Sequence, residues 1–255
     1  MVDKRCIFLA VDGAVSRNQV YDTIGPVANG PVGSYLAGIK FNDALHIAGI
    51  SGPALVGVIL DVYPEMGVCL DLKLADVSAT DENIMTHYAQ CAKRLLATVS
   101  IHSSIGVFRM FHEKFPEIKL ICMGVPTDIS EKECLARYGS QPSELMVRWY
   151  SALSEQFQRA AGINDRPTDL AVMSYEMVPV MRSSFSGLDA FTPGIRDEWM
   201  RKDHQERTTG VRAALEAGVR YVVMGSQLTK GNPSGGVSAQ ESQERTAQEI
   251  EAFFA

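Results

Sequence analysis

Short apolar runs recur along the chain, and segments with helical periodicity separate them. Alternating strands and helices predict a parallel sheet, and eight such units in about 250 residues match the size of a (β/α)₈ barrel. We therefore predict an α/β fold, a single (β/α)₈ TIM barrel, with a doubly wound open sheet as the alternative. The strand-like runs cover residues 6–11, 35–41, 68–74, 98–101, 119–125, 170–173, 188–191 and 221–224. The helical segments include 84–96, 107–114, 143–161 and 209–217.

The chain shows no linker, low-complexity segment or internal repeat, which predicts one barrel domain over residues 1–255. Two segments, 196–207 and 231–239, are polar enough to be long loops, and loops of this kind in a compact domain often act as lids. The segment after Ser238 has the pattern of an amphipathic helix that packs against the barrel.

Composition argues against a nucleic-acid partner, a membrane partner and a zinc site. The net charge is −6 and the basic residues are dispersed, which argues against a nucleic-acid partner. No apolar run reaches the roughly 18 residues of a membrane helix, and the first residues lack a signal-peptide pattern, so we expect a cytoplasmic protein without a membrane partner. The five cysteines form no C-x-x-C pair and no zinc-site spacing, which favours reduced cysteines buried in the core.

The third apolar run carries charges that a buried strand does not ordinarily hold. Its leucines share one face, whereas Asp71 and Lys73 share the other, and Asp76 follows just past the run. A surface ion pair would contribute only about 0 to 1 kcal/mol. The apolar surroundings instead indicate buried charges, which need a partner or a function. We call residues 70–76 the charged strand.

Polar residues also stand where the other predicted strands end. The carboxyl ends of barrel strands converge on one mouth, where active sites lie. This pattern therefore predicts a site that many strands share. The residues concerned are Asp12, Lys40, His102, Thr127, Asp128, Thr192, Pro193, Gly194, Gly225 and Ser226.

Together these segments resemble the orotidine 5'-phosphate decarboxylase family. The resemblance runs in order through LAVD at 9–12, AGIK at 37–40, LDLKLADVSATDEN at 70–83, FTPGIR at 191–196 and AGVRYVVMGSQLTKGNP at 217–233. Lys40 distinguishes this family from the related sugar-phosphate branch, which usually carries a glutamate there. The resemblance implies a homodimeric barrel that converts orotidine 5'-monophosphate (OMP) to UMP in pyrimidine biosynthesis, without a cofactor.

The resemblance also implies roles for individual residues. Lys40, Asp71, Lys73 and Asp76 would form an alternating charged network in which Lys73 protonates the carbon that loses its carboxylate. A fixed ammonium suits this chemistry because it is both the electrostatic partner of a carbanion and its proton source. Asp76 and Thr80 would reach into the partner subunit's site. The implied substrate-binding residues are Asp12, Thr80, Thr127, Gln205, Gly194, Gly225 and Ser226.

The chain departs from the family pattern in three places. Ser226 stands where the family has its phosphate-binding arginine, and Lys230 or Arg207 would have to supply the missing charge. Asp128, with Thr127 beside it, stands near the position of the pyrimidine-reading serine. The segment 149–166 is longer than usual, so the sixth unit is expected to be rebuilt.

Two alternative functions follow from these departures. One is a metal-dependent sugar-phosphate decarboxylase, aldolase or synthase of the same superfamily, against which Lys40 argues. The other is a ligand-binding relative with weakened catalysis, in which the charged network persists while Ser226 and Asp128 change recognition.

Overall fold

Eight strands form a closed barrel in chain order, which confirms the predicted (β/α)₈ fold and excludes the open sheet. The structure is a computed structural model that describes residues 3–126, 129–161, 166–200 and 209–255. Each strand begins and ends within three residues of its predicted bounds. The strands are β1 (Ile7–Val11), β2 (Leu36–Phe41), β3 (Gly67–Leu74), β4 (Leu95–Ser100), β5 (Lys119–Met123), β6 (Leu170–Val172), β7 (Asp189–Thr192) and β8 (Tyr221–Met224).

The α-helices in the described ranges lie between the strands and after the last of them. None of these helices is long and apolar enough to cross a membrane. They are α1 (Arg17–Ala28), α2 (Gly52–Val62), α3 (Ser78–Thr86), α4 (Ile105–Lys114), α5 (Glu131–Tyr138), α6 (Pro142–Ala161), α7 (Val178–Ser184), α8 (Val211–Glu216), α9 (Ser226–Thr229) and α10 (Ala239–Phe254). Short 3₁₀ segments lie at Gly33–Tyr35, Asp43–His46, Ala89–Arg94, Tyr175–Met177, Glu198–Met200 and Pro233–Gly235.

Serine residues fix where several helices begin. Ser16, Ser51, Ser130 and Ser238 each accept a hydrogen bond from the backbone N–H three residues later, which satisfies one of the unpaired N–H groups of the first turn. The cap at Ser238 begins α10, so the predicted C-terminal helix is confirmed, and its Ile250 is buried.

The predicted helix over 84–96 is wrong. The helix there, α3, begins at Ser78 and ends at Thr86, and a 3₁₀ segment at Ala89–Arg94 follows it. Tyr88 and Ala92 are both buried, so the burial pattern continues past the end of α3. The apolar residues of α3 and of the 3₁₀ segment together have the spacing of one helix, which explains why the sequence predicts a single helix over 84–96.

The chain groups into two compact units, Met1–Cys69 with Thr192–Ala255, and Leu70–Phe191. In the first unit β1 pairs in parallel with both β2 and β8, and Ala10 lies opposite Lys40. In the second unit β4, β5, β6 and β7 pair in parallel in that order. Each unit buries large apolar side chains, such as Phe8 and Phe108. The single-domain organisation over residues 1–255 stays a prediction.

No disulfide bond joins any of the five cysteines, all of which lie in the described ranges. Four of them are buried, and Cys91 is half-buried. Burial raises the pKa of the Cys6 thiol to about 12, which leaves it protonated at neutral pH. Across the described ranges, no three His, Cys, Asp or Glu side chains are grouped to hold a metal ion.

Candidate active site

The charged strand places Asp71 and Lys73 in direct contact. Lys73 Nζ lies 2.9 Å from Asp71 Oδ2, so the two side chains form an ion pair at the carboxyl end of β3. The Asp71 side chain is 12% exposed, whereas that of Lys73 is 47% exposed. The carboxylate is therefore largely buried while the ammonium remains accessible to a ligand, which suits a proton donor.

Thr98 holds this ion pair from the neighbouring strand β4. Its buried hydroxyl donates a hydrogen bond to Asp71 Oδ1 at 3.1 Å. The same hydroxyl accepts a hydrogen bond from the backbone N–H of Lys73 at 2.8 Å. One side chain thus fixes both the carboxylate and the backbone that carries the ammonium. The sequence analysis did not assign Thr98 a role. The available signal was a hydroxyl residue inside an otherwise apolar strand.

Lys73 has a backbone conformation that lysine rarely adopts. Its φ is +52°, and no other non-glycine residue in the described ranges has a positive φ. This left-handed conformation costs a side-chain-bearing residue about 1 to 2 kcal/mol. Strained residues of this kind cluster at functional sites, where surrounding contacts hold them, and the Thr98 hydrogen bond to the Lys73 N–H is such a contact.

Asp76 and Thr80 lie beyond the strand. Asp76 is exposed, and its Oδ1 accepts the N–H of Val77 at 2.7 Å. Within the described part of the chain no ion pair joins Asp76 to Lys73. Because the prediction places Asp76 in the partner subunit's site, its place in the charged network stays a prediction. Thr80 lies half-buried in the first turn of α3. Their contribution to a partner subunit stays a prediction.

Asp81, one turn into the same helix, is a buried acid that the sequence analysis did not single out. It is 1% exposed, and no described group forms a hydrogen bond with its Oδ2. Burial, together with the negative charge of Asp76, raises the pKa of this carboxyl above its ordinary value.

In the first unit, Lys40 and Asp12 meet at the ends of β2 and β1. Lys40 Nζ lies 3.6 Å from Asp12 Oδ1, and the lysine side chain is 13% exposed whereas the aspartate is 60% exposed. The accessible carboxylate lines a cavity of about 720 Å³. The next residue, Gly13, donates its N–H to Asp43 Oδ2 at 2.8 Å, which fixes the turn after β1.

The same cavity is lined by the predicted residues Gly194, Gly225 and Ser226. Gly194 has a φ of +76°, a conformation that glycine adopts without strain, and it is exposed at the cavity. Ser226 is the first residue of the short helix α9 and is also exposed. The structure therefore brings together Asp12, Lys40 and these three residues.

Two further cations line this cavity, Arg196 and Lys230. Neither side chain forms an ion pair or hydrogen bond with another residue in the described ranges. Lys230 is one of the predicted substitute charges. Arg196 ends the FTPGIR segment and begins the predicted loop 196–207, and the sequence assigns it no role of its own. The sequence signal that places Arg196 at this cavity is its position two residues after Gly194, which is a predicted substrate-binding residue.

Five predicted or considered positions fall elsewhere. Thr127, Gln205 and the neighbouring candidates Asp128 and Arg207 lie outside the residues that the structure describes. His102 follows β4, and its ring contacts Trp149 edge-on, with the ring centroids 4.5 Å apart. Trp149 belongs to α6, a helix of 20 residues, and the rebuilding of the sixth unit stays a prediction.

Comparison with known proteins places the chain in a family, although no protein-family model matches it. An orotidine 5'-phosphate decarboxylase from Pseudomonas paraeruginosa is 30% identical over 182 residues, which cover 68% of this chain and 73% of that protein. The chain belongs to the orotidine 5'-phosphate decarboxylase family. An orotidine 5'-phosphate decarboxylase from Thermobifida fusca is 27% identical over 188 residues, which cover 74% of this chain and 76% of that protein.

Solved structures of orotidine 5'-phosphate decarboxylases share the fold. The Leishmania donovani OMP decarboxylase has a TM-score of 0.68 and 17% identity over 99% of this chain and 96% of its own. The Methanocaldococcus jannaschii enzyme complexed with the inhibitor BMP has a TM-score of 0.63 and 16% identity over 97% of this chain and 99% of its own. At these identities the likeness supports the barrel fold alone.

Proposed function

We propose that this chain is a carboxy-lyase that decarboxylates OMP to UMP. The observation that carries the proposal is the Asp71–Lys73 ion pair at 2.9 Å, held by Thr98 at the end of β3. Folding of the barrel does not by itself require a lysine with a strained backbone conformation beside a buried carboxylate, so this arrangement points to catalysis. The proposed reaction is a step of de novo pyrimidine biosynthesis.

The proposed reaction requires one proton donor that is held beside the carbon that loses its carboxylate. The bond between the ring carbon and the carboxylate breaks, CO₂ leaves, and the electron pair remains on the carbon. Lys73 then gives its proton to that carbon, so that a C–H bond replaces the C–C bond. Its ammonium also stabilises the developing negative charge before the transfer, because it is held in place and does not need to reorganise.

Asp71 has two proposed roles. It holds the Lys73 ammonium in place through the ion pair at 2.9 Å. It would also face the substrate's carboxylate, and the repulsion between them disappears as CO₂ leaves. Its burial strengthens both effects because a charge in a low-dielectric environment is screened little.

The remaining predicted residues bind and orient the nucleotide in this proposal. Asp12 accepts hydrogen bonds from the ribose hydroxyls, and Lys40 holds that carboxylate while contributing to the catalytic network with Asp71, Lys73 and Asp76. Thr127 reads the pyrimidine ring. In this proposal the phosphate is bound by the backbone N–H groups of Gly194 and Gly225 and the hydroxyl of Ser226, and Gln205 is the further predicted phosphate ligand.

We also propose the surroundings in which the enzyme works. It is a cytoplasmic homodimer of one-domain subunits, and Asp76 and Thr80 complete the partner subunit's site. Exposure of Asp76 and of Val77, whose side chain is 63% exposed, supports such an interface because this part of the chain is open to contact. No cofactor is required, since protein charges supply both stabilisation and the proton.

The direct test follows loss of OMP absorbance with purified protein in a chelator, beside a Lys73→Ala variant. We expect turnover by the wild type and a loss of about 10⁴-fold or more in kcat for the variant. Lys93→Ala is a matched control, because Lys93 is an exposed lysine whose ion pair with Glu117 lies on the surface at 3.5 Å.

Folded wild-type protein that does not turn over OMP at millimolar concentration would contradict the proposal. Turnover of sugar phosphates with added magnesium would then favour the sugar-phosphate alternative. Tight binding of UMP without turnover would favour the ligand-binding relative.

A further inference from the structure

A side-chain contact joins the segments that follow β1 and β2. The two strands are paired in parallel as far as Val11 and Phe41. Two residues further along each segment, Gly13 donates its N–H to Asp43 Oδ2 at 2.8 Å. The carboxylate of Asp43 thus takes the place of a backbone acceptor just beyond the last paired residues, so the two segments stay joined where the sheet ends.

This hydrogen bond bears on Asp12, the exposed carboxylate of the cavity. The N–H of Gly13 belongs to the planar peptide unit that begins at the Asp12 Cα. Holding this N–H therefore restricts the backbone from which the Asp12 side chain projects. The restriction matters because Gly13 has a φ of +77°, and glycine adopts either sign of φ about equally well.

The ion pair with Lys40 does not by itself orient the Asp12 carboxylate. Lys40 Nζ lies 3.6 Å from Asp12 Oδ1, beyond ordinary hydrogen-bond length, and the Asp12 side chain is exposed. An ammonium is a compact charge without a planar fork, so it attracts a carboxylate but does not fix its orientation. The hydrogen bond from Gly13 to Asp43 supplies an orienting contact through the backbone.

Asp43 lies on a packed segment. It begins the 3₁₀ segment Asp43–His46, in which Ala44 and Leu45 are both buried. The Leu45 N–H also donates to Asn42 O at 3.1 Å. These contacts hold the backbone of Asp43 in place, so its exposed side chain presents a fixed acceptor to Gly13.

We propose that Asp43 is a positioning residue that orients the Asp12 carboxylate toward the ribose hydroxyls of the nucleotide. The inference rests on the proposed function, which gives Asp12 this contact. Its consequence is selectivity for the ribose, because a carboxylate held in one orientation is left without its donor when a hydroxyl is missing from the ligand.

The test compares the dissociation constants of UMP, 2′-deoxy-UMP and 3′-deoxy-UMP. We expect the wild type to bind UMP at least about 10-fold more tightly than one of the two analogues, and Asp43→Ala to lose most of this difference. Asp43→Asn should keep the difference, because its side-chain oxygen accepts the same N–H. Asp61→Ala is the control, since Asp61 is an exposed aspartate of α2.

Kinetics and a double variant separate positioning from a general loss of structure. We expect Asp43→Ala to raise KM for OMP about 10-fold with kcat little changed. Adding Asp43→Ala to Asp12→Ala should cause no further loss of UMP affinity, because both changes act through one carboxylate. If Asp43→Ala does not fold, Asp43→Leu, which also lacks the acceptor, replaces it.

Unchanged UMP affinity in Asp43→Ala would overturn the inference. An equal loss of affinity for UMP and both analogues, additive effects in the double variant, or an Asp43→Asn variant as weak as Asp43→Ala would also overturn it. The binding measurements do not need turnover. If the wild type selects the ribose through Asp43 but does not decarboxylate OMP, the proposed function fails while the positioning role stands.

Discussion

The charged strand and the cavity lined by Arg196 and Ser226 are built in different ways. In the charged strand, Asp71 and Lys73 are two residues apart and one hydroxyl from the next strand holds them. At the cavity, the contacts that matter join Asp197 to Gln227, which are 30 residues apart, and reach α8 and α10. The first region depends on a contact between neighbouring strands, whereas the second depends on contacts between segments that are distant in the sequence.

In the proposed function, the charged strand carries out the reaction and the cavity binds part of the substrate. Proton transfer to a carbanion requires one ammonium beside one carboxylate, and few other side chains can replace them. A phosphate can be bound by any suitably placed arginine, lysine or set of backbone N–H groups. In the proposed function, the charged strand is therefore the region in which substitutions are least tolerated.

After Lys73→Ala, the largest effect in this comparison is expected for Asp71→Asn. The variant keeps the shape of the side chain but removes the charge that lies 2.9 Å from Lys73 Nζ. We expect kcat for OMP to fall about 10²- to 10³-fold with KM little changed, which steady-state kinetics would measure. A change in KM alone would mean that Asp71 binds substrate and does not act on the reacting groups.

A smaller effect is expected for Thr98→Val, which is nearly isosteric. It removes the acceptor of the Lys73 N–H and the donor to Asp71, so the left-handed conformation at Lys73 loses its anchor. We expect a loss of about 1 to 3 kcal/mol in the free energy of unfolding and a fall in kcat. Denaturant titration beside kinetics checks both. Thr98→Ser, which keeps the hydroxyl, should retain both properties, and an equal loss in that variant would contradict the explanation.

The smallest effect is expected for Asp81→Asn and concerns pH. Burial and the charge of Asp76 raise the pKa of Asp81 in the folded state above its ordinary value, so the folded state binds the proton more tightly than the unfolded state. The contribution of Asp81 to stability is therefore present below the unfolded pKa and is lost as the pH rises through the folded pKa.

We accordingly expect Asp81→Asn to gain stability relative to the wild type as the pH is raised from about 4, the ordinary pKa of an aspartate, towards neutrality. Denaturant midpoints of both proteins over this range measure the difference. A difference that does not change with pH would show that the carboxyl is not perturbed.

The charged strand could be predicted from the sequence because strand alternation alone places Asp71 and Lys73 on one face. The barrel followed from the same local pattern, repeated in eight runs. The unusual φ of Lys73 could not be predicted, because it depends on a hydrogen bond to Thr98, which is 25 residues further along the chain.

The Asp197–Gln227 pair could not be predicted for a related reason. In the sequence, Asp197 stands in a charged segment and has the pattern of a solvated loop residue, yet it is 4% exposed. No period links it to Gln227, and only the fold brings the two together. Burial raises the pKa of Asp197, whereas the hydrogen bonds from Gln227 and Val211 favour its charged form.

The central proposal is that Lys73 performs the chemistry. The most direct measurement is kcat and KM for OMP of Lys73→Ala and of the control Lys93→Ala, determined side by side in a chelator. We predict that Lys73→Ala loses kcat by about 10⁴-fold or more, whereas Lys93→Ala, which changes an exposed lysine paired with Glu117, keeps both constants. Retained kcat in Lys73→Ala would contradict the proposed role.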